Sequence, residues 1–230
     1  MTDLLRELVP GVWIDTAPVR FLGLHLSSNQ TVLRLPDGAL VVCSPVALTP
    51  ERREAIDRLG KVAHLYAPNT FHHLAMADWQ RAYPEARLHA PRALQKKRAD
   101  LRVDRAHDEA SEPAFADGLD EVRIEGFELR ESVLLHRASR TLVVTDLVHQ
   151  IGRPDHAWTA LYTKMSGFYD EIALSRVIRW TAFPDREAAR ASMERVLALP
   201  FDRIVVGHGA PVVGGAKDAL ARAYAWLLPR

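Results

Sequence analysis

Two apolar runs, Ala39-Leu40-Val41-Val42-Cys43 and Val62-Ala63-His64-Leu65-Tyr66-Ala67, flank a segment suited to a helix, and this arrangement constrains the fold more than any other stretch. Thr49 suits an N-cap, Pro50 the first helical position and Glu51 the first turn, while Ile56 and Leu59 are apolar and Gly60 supplies the stop. A strand, a helix and a strand in succession make a crossover, which places the two strands as parallel neighbours. The chain therefore reads as α/β.

The run before this unit is antiparallel. Gly11-Val12-Trp13-Ile14-Asp15 and Gln30 to Leu35 are candidate strands, and Pro36-Asp37-Gly38 is a hairpin turn leading into Ala39. After the unit, Leu74 to Tyr83 is compatible with a short helix, Ala86 to Ala90 with a strand, and Pro91 to Ala99 with a helix whose basic end suits the carboxyl end of its dipole. The polar stretch from Asp100 to Asp120 reads as a surface excursion. Val122-Arg123-Ile124, Glu131 to His136 and Thr141 to Asp146 are further strands. Residues 150–183 read as irregular and rich in aromatic residues, a lid or wall. Asp185 to Leu199 is an amphipathic helix, Phe201 to Val206 a strand, and Ala216 to Leu227 a closing helix.

Charge and composition exclude several classes. With 30 basic and 29 acidic residues among 230, the net charge of +1 offers no field to attract nucleic acid or a membrane surface. A hydrophobic fraction of 48% is ample for a core, yet no apolar run approaches the roughly 18 residues of a membrane span. The acidic, interrupted start is unlike a signal peptide, and the single cysteine, Cys43, allows no internal disulfide framework and sits in an apolar strand as core packing. A cytoplasmic protein is expected.

Chemistry-bearing residues gather where strands end. His72 and His73 follow Pro68-Asn69 at the end of one strand, Asp146 closes the β-branched run Val143-Val144-Thr145, and His208 stands between Gly207 and Gly209 at the end of another. Loops at the carboxyl ends of strands can aim several side chains at one point. A carboxylate ending a core strand needs a partner or a metal to offset its lost hydration. Imidazoles and a carboxylate are donors that a divalent cation accepts. Adjacent side chains on an extended segment diverge, so only one of His72 and His73 can reach such a cation unless the turn bends sharply.

The order of these pieces resembles the metallo-β-lactamase fold, and its details are closest to the branch known as domain of unknown function 4336. Leu35-Pro36-Asp37-Gly38, Ser44-Pro45-Val46-Ala47-Leu48, Ala67-Pro68-Asn69 with His72-His73-Leu74, Ser139-Arg140-Thr141-Leu142 before Thr145-Asp146, and Phe201-Asp202 before Gly207-His208-Gly209 carry the resemblance. It implies a four-layer αββα sandwich, one domain over residues 1–230, with a metal site at one edge. By position, Asp146 resembles the family's metal-bridging carboxylate and His208 its final histidine ligand. His72 and His73 resemble the last two residues of the motif His-x-His-x-Asp-His. The chain departs from that motif: Pro68 to Phe71 supply neither of its first two histidines, and Phe127 and Glu128 stand near the place of the middle one.

The resemblance thus implies a reduced, mononuclear site of His72, His73, Asp146 and His208. Its metal-bound water would attack an ester, amide or phosphoester of a small-molecule substrate, with Asp146 or Asp78 carrying protons. One divalent metal is expected, zinc ahead of iron or manganese. A metal-free, non-catalytic binding protein of the same fold is the alternative, and an iron redox site a third reading.

Overall fold

Successive side chains of the central strands enter different apolar clusters, which assigns each to a layer. Val42 faces one way and Val41 and Cys43 the other; Leu134 faces one way and Val133 and Leu135 the other. This period of two follows from the pleat, and both faces are apolar because both are covered. The computed structural model describes residues 4–228.

Seven strands form the first sheet in sequence order: β1 (Arg6–Val9), β2 (Val12–Phe21), β3 (Leu24–Arg34), β4 (Leu40–Cys43), β5 (Val62–Tyr66), β6 (Arg87–Ala90) and β7 (Arg105–Ala106). The first four are antiparallel neighbours and β4 to β7 run parallel, as the crossover through α1 (Pro50–Asp57) requires. Thr49 caps that helix, accepting from the Arg52 amide at 3.2 Å. The second sheet has the order β12-β11-β10-β9-β8, from β8 (Leu119–Arg123), β9 (Ser132–His136), β10 (Thr141–Val143), β11 (Arg203–Val205) and β12 (Val212–Val213). Within it β10 and β11 are parallel.

Three apolar clusters fill the three interfaces. Ile56 of α1, Met76 and Trp79 of α2 (Met76–Ala82) and Leu94 of α3 (Arg92–Lys97) pack on the outer face of the first sheet. Val12, Leu33, Val41 and Tyr66 meet Leu119, Leu134 and Val143 between the sheets. Met193 and Val196 of α6 (Arg186–Ala198) and Leu220 of α7 (Ala216–Ala223) cover the outer face of the second sheet. The result is an αββα sandwich. Each fully buried large aliphatic side chain contributes about 1.5–3 kcal/mol relative to its exposed state. Cys43 lies in the middle layer, where burial and then Glu131 push its thiol well up, in keeping with a packing role.

Two segments differ from the expectation. The stretch 100–120 is no surface excursion: β7 joins the first sheet, and Arg105, His107 and Glu112 are buried, with Arg105 paired to Glu121 across the inter-sheet space. Residues 150–183 are not irregular throughout but hold α4 (Ala157–Ser166) and α5 (Arg176–Thr181). His156 caps α4 and Gly167, in the left-handed conformation, ends it. Among the described residues no helix is long and apolar enough to cross a membrane.

Candidate functional site

Strand register builds the site. In the parallel pair of β10 and β11, Val143 lies opposite Val205, so three residues further on Asp146 and His208 leave the sheet side by side. From the other sheet, the loop after β5 brings in His72. One donor atom from each of His72, Asp146 and His208 lies within 4.8 Å of the other two. His72 Nε2 is 3.4 Å from Asp146 Oδ2, and His208 Nε2 is 3.7 Å from Asp146 Oδ1. Donors held about 2.0–2.2 Å from one tetrahedral ion stand at separations of this order.

The surroundings fix each group. His208 Nδ1 donates to the Ser27 carbonyl at 2.7 Å, which leaves Nε2 as a bare lone pair aimed at Asp146. His72 Nδ1 lies 2.6 Å from Ser44 Oγ, so its Nε2 too is turned inward. Ser44 itself holds a left-handed φ of 53°, a conformation a serine adopts at a cost of roughly 1–3 kcal/mol. Gly207 is required by crowding: a Cβ there would stand 2.9 Å from His72 Cε1 and from Thr145 Cα. Asn69 is the hub. Its amide donates to Asp146 Oδ2 at 2.7 Å, Glu131 Oε2 at 3.0 Å and Thr145 Oγ1 at 3.0 Å, while its oxygen accepts from the Phe71 and His72 amides at 2.8 and 2.9 Å. That double acceptance bends the turn and delivers His72.

Behind Asp146 lies Glu131, fully buried. Its two oxygens accept from the Thr145 and Asp146 amides at 2.7 and 2.8 Å. Neither carboxylate has a lysine or arginine partner among the described residues. Burial, and then the Asp146 charge, push Glu131 above the ordinary carboxylate range. Burial opposes ionisation of Asp146 as well, but His72 first and His208 next hold it well below that range. Burial likewise opposes a charge on His72, and the Asp146 carboxylate overcomes it, so that His72 rises above its usual value. His208 is lowered by burial and by His72. The cluster thus draws positive charge to itself.

The structure brings together His72, Asp146 and His208 and leaves out the other two candidates. His73 turns away, as the divergence of neighbouring side chains demands, and its Nδ1 accepts from Arg98 at 2.9 Å; burial, Lys97 and Arg98 lower it to about 4. Asp78 stands on α2, more than half exposed, and pairs with Arg81. Neither is positioned to hold a cation or move a proton at the cluster. Sequence reasoning missed three members of the surroundings: Glu131, the amide role of Asn69, and His149. The His149 ring is 5.6 Å from that of His208, and burial and His208 lower it to about 4, so it stays neutral. Its spacing of three residues after Asp146 and the position of Glu131 immediately before β9 were the available signals.

Comparison with known proteins bears on the scaffold. The family model described as Domain of unknown function (DUF4336) matches residues 19–165. The structure is similar to a metallo-β-lactamase from Pontibacter korlensis, at 12% identity and a TM-score of 0.65 over 95% of this chain and 97% of that one. It is similar also to a metallo-β-lactamase from Hirschia baltica, at 11% identity and a TM-score of 0.64 over 98% of each chain. At such identities the likeness concerns architecture. A search of curated proteins found none that matches the chain.

Proposed function

Because the chain belongs to the DUF4336 family and folds as the metallo-β-lactamases do, we propose that it is a hydrolase dependent on one divalent cation held by His72, Asp146 and His208. The observation that carries this reading is the charge deficit. Two carboxylates, Asp146 and Glu131, are buried together with imidazoles and amides but with no arginine or lysine, whereas buried Asp15 has Arg52 and Glu112 has Arg87. Two buried carboxylates without an arginine or lysine are costly to keep ionised, and a cation between the inward-facing imidazole nitrogens and Asp146 would offset that cost. Two imidazole nitrogens and a carboxylate suit zinc first, and iron or manganese after it.

When bound, such a cation supplies Lewis acidity toward water and toward a carbonyl or phosphoryl oxygen. The chain supplies the rest. Ser27 and Ser44 orient the two rings, and Asn69 ties down Asp146 Oδ2. Among the described residues Asp146 Oδ1 receives no hydrogen bond and lies 3.7 Å from His208 Nε2, so proton acceptance from an attacking water falls to this atom. Glu131, its oxygens engaged by backbone amides, holds the 145–146 turn in place. With three donors converging and His73 and His149 outside the group, the site takes one ion.

Protein purified without a histidine tag tests the reading by elemental analysis and by hydrolysis of p-nitrophenyl acetate and bis-p-nitrophenyl phosphate. About one metal per chain, lost in Asp146→Asn and His208→Ala, is expected, with turnover of an ester probe lost in the same variants. Folded wild-type protein that takes up no zinc, iron or manganese overturns it and leaves the metal-free binding protein.

A further inference from the structure

On the far side of the second sheet, α5, α7 and the segment leading into α5 border an open cavity of about 580 Å³, apart from the His/Asp cluster. Its floor is apolar, from Leu174, Ala219 and Ala223, and its charged liners are Arg176, Arg179, Arg222 and Glu171. None of the three arginines has a carboxylate partner among the described residues, although this protein pairs many of its other arginines, exposed Arg92 and Arg153 among them. Arg179 lies over the ring of Trp226 at 4.6 Å, which sets the plane of its guanidinium. Burial and the neighbouring charges of Arg186 and Arg176 lower its proton affinity, a sign of crowded positive charge. Three guanidiniums against one carboxylate leave an excess of two positive charges in a space of the size that takes a small organic ligand.

We infer that this cavity binds a small phosphomonoester, its phosphoryl group against Arg176, Arg179 and Arg222 and its apolar body on the floor formed by Leu174, Ala219 and Ala223. A phosphate monoester carries about −1.5 to −2 at neutral pH, which matches the excess, whereas a carboxylate supplies half of it. The planar fork of arginine engages phosphoryl oxygens two at a time, which lysine cannot do. The inference is independent of the metal proposal.

Isothermal titration with phenylphosphonate, a non-hydrolysable dianionic probe, tests it, with benzoate as the singly charged counterpart. One saturable site is expected, with benzoate about tenfold weaker or more. Arg222→Ala, at an exposed position, and Arg179→Lys, which keeps the charge and the stem, should each raise the dissociation constant by about tenfold, the first by losing a charge-assisted pair and the second by losing the two-pronged fork. Asp146→Asn should bind as wild type does. The inference fails if wild type shows no saturable binding at millimolar probe, if Arg195→Ala, remote from the cavity lining, weakens binding equally, or if Asp146→Asn abolishes it, which would place the anion at the His/Asp cluster.

Discussion

The inter-sheet layer contains two buried polar clusters, and only one of them is complete. In the first, Arg105 Nε donates to His89 Nδ1 at 2.9 Å, so the His89 proton sits on Nε2 and goes to His64 Nδ1, also at 2.9 Å. The same arginine spans both oxygens of Glu121 at 2.7 and 2.8 Å, and Tyr66 donates to that carboxylate at 2.6 Å. His107 donates to the Ala67 carbonyl at 3.1 Å and accepts from Ser132 at 2.9 Å. Every histidine there has a neutral tautomer fixed by its partners, and the carboxylates have arginines. In the second cluster, His72 and His208 turn Nε2 toward a carboxylate, and among the described residues no arginine or lysine stands beside it. A cluster that closes on its own arginines is architecture; one that is short of a positive charge is shaped for something the chain does not encode.

The largest expected effect tests the closed cluster. Arg105→Met leaves Glu121 buried without its guanidinium, while Glu112 keeps Arg87, and should cost about 3–5 kcal/mol, read as a drop in the urea midpoint, with metal content per folded chain unchanged. If Arg105→Met is nearly neutral, the contrast between the clusters collapses. Next in size, zinc added at about 100 times its dissociation constant should stabilise wild type by about 2.7 kcal/mol, and Asp146→Asn not at all. Calorimetry at fixed protein concentration reads this as a rise in melting temperature present in one protein and absent in the other.

How far each cluster was legible in the sequence follows from the same contrast. Asp146 and His208 could be found because strand ends and flanking glycines mark them, and the parallel register of β10 with β11 does the rest. The sandwich was legible through the resemblance carried by the motifs at the strand ends, while the continuously apolar run Leu40 to Cys43 marked a strand covered on both faces without saying by what. Arg105 and His107 could not, because a polar stretch looks solvated until its partners are known, and Glu121 and Ser132 come from the other sheet. Glu131 was hidden for the same reason: its donors are backbone amides, which no side-chain pattern reports. α4 was obscured by its aromatic content, although Gly167 marked its end.

Acid separates the clusters by a smaller, graded effect. Burial first, and then Arg105 and the neighbouring histidines and Arg87, lower His89 to about 2, so it stays neutral in the fold while the unfolded chain protonates it near its ordinary 6.5. A depressed folded value means that the stabilisation is complete above about 6.5 and falls as the pH drops, by about 1.4 kcal/mol per unit for this one ring. Stability of metal-free protein should therefore decline from pH 7 to pH 5, and His89→Gln should flatten the slope by close to one proton. An unchanged slope would mean that the ring titrates in the fold.

The smallest effects concern the surroundings of the open cluster. Asn69→Ala removes the amide that joins Asp146, Glu131 and Thr145, and the acceptor that shapes the turn, so metal affinity should fall by about 10–100-fold, as for other residues that orient ligands. Competition with a zinc chelator measures it, and a loss in Asn69→Ala as complete as in Asp146→Asn would make Asn69 a ligand itself. Asp78→Asn should alter neither metal content nor melting temperature, because Asp78 is exposed on α2 and paired only with Arg81, itself in solvent. A change in metal content in that variant would mean that the turn after His73 swings far enough to bring α2 to the cluster, and the separation between a rigid site and its exposed flank would have to be redrawn.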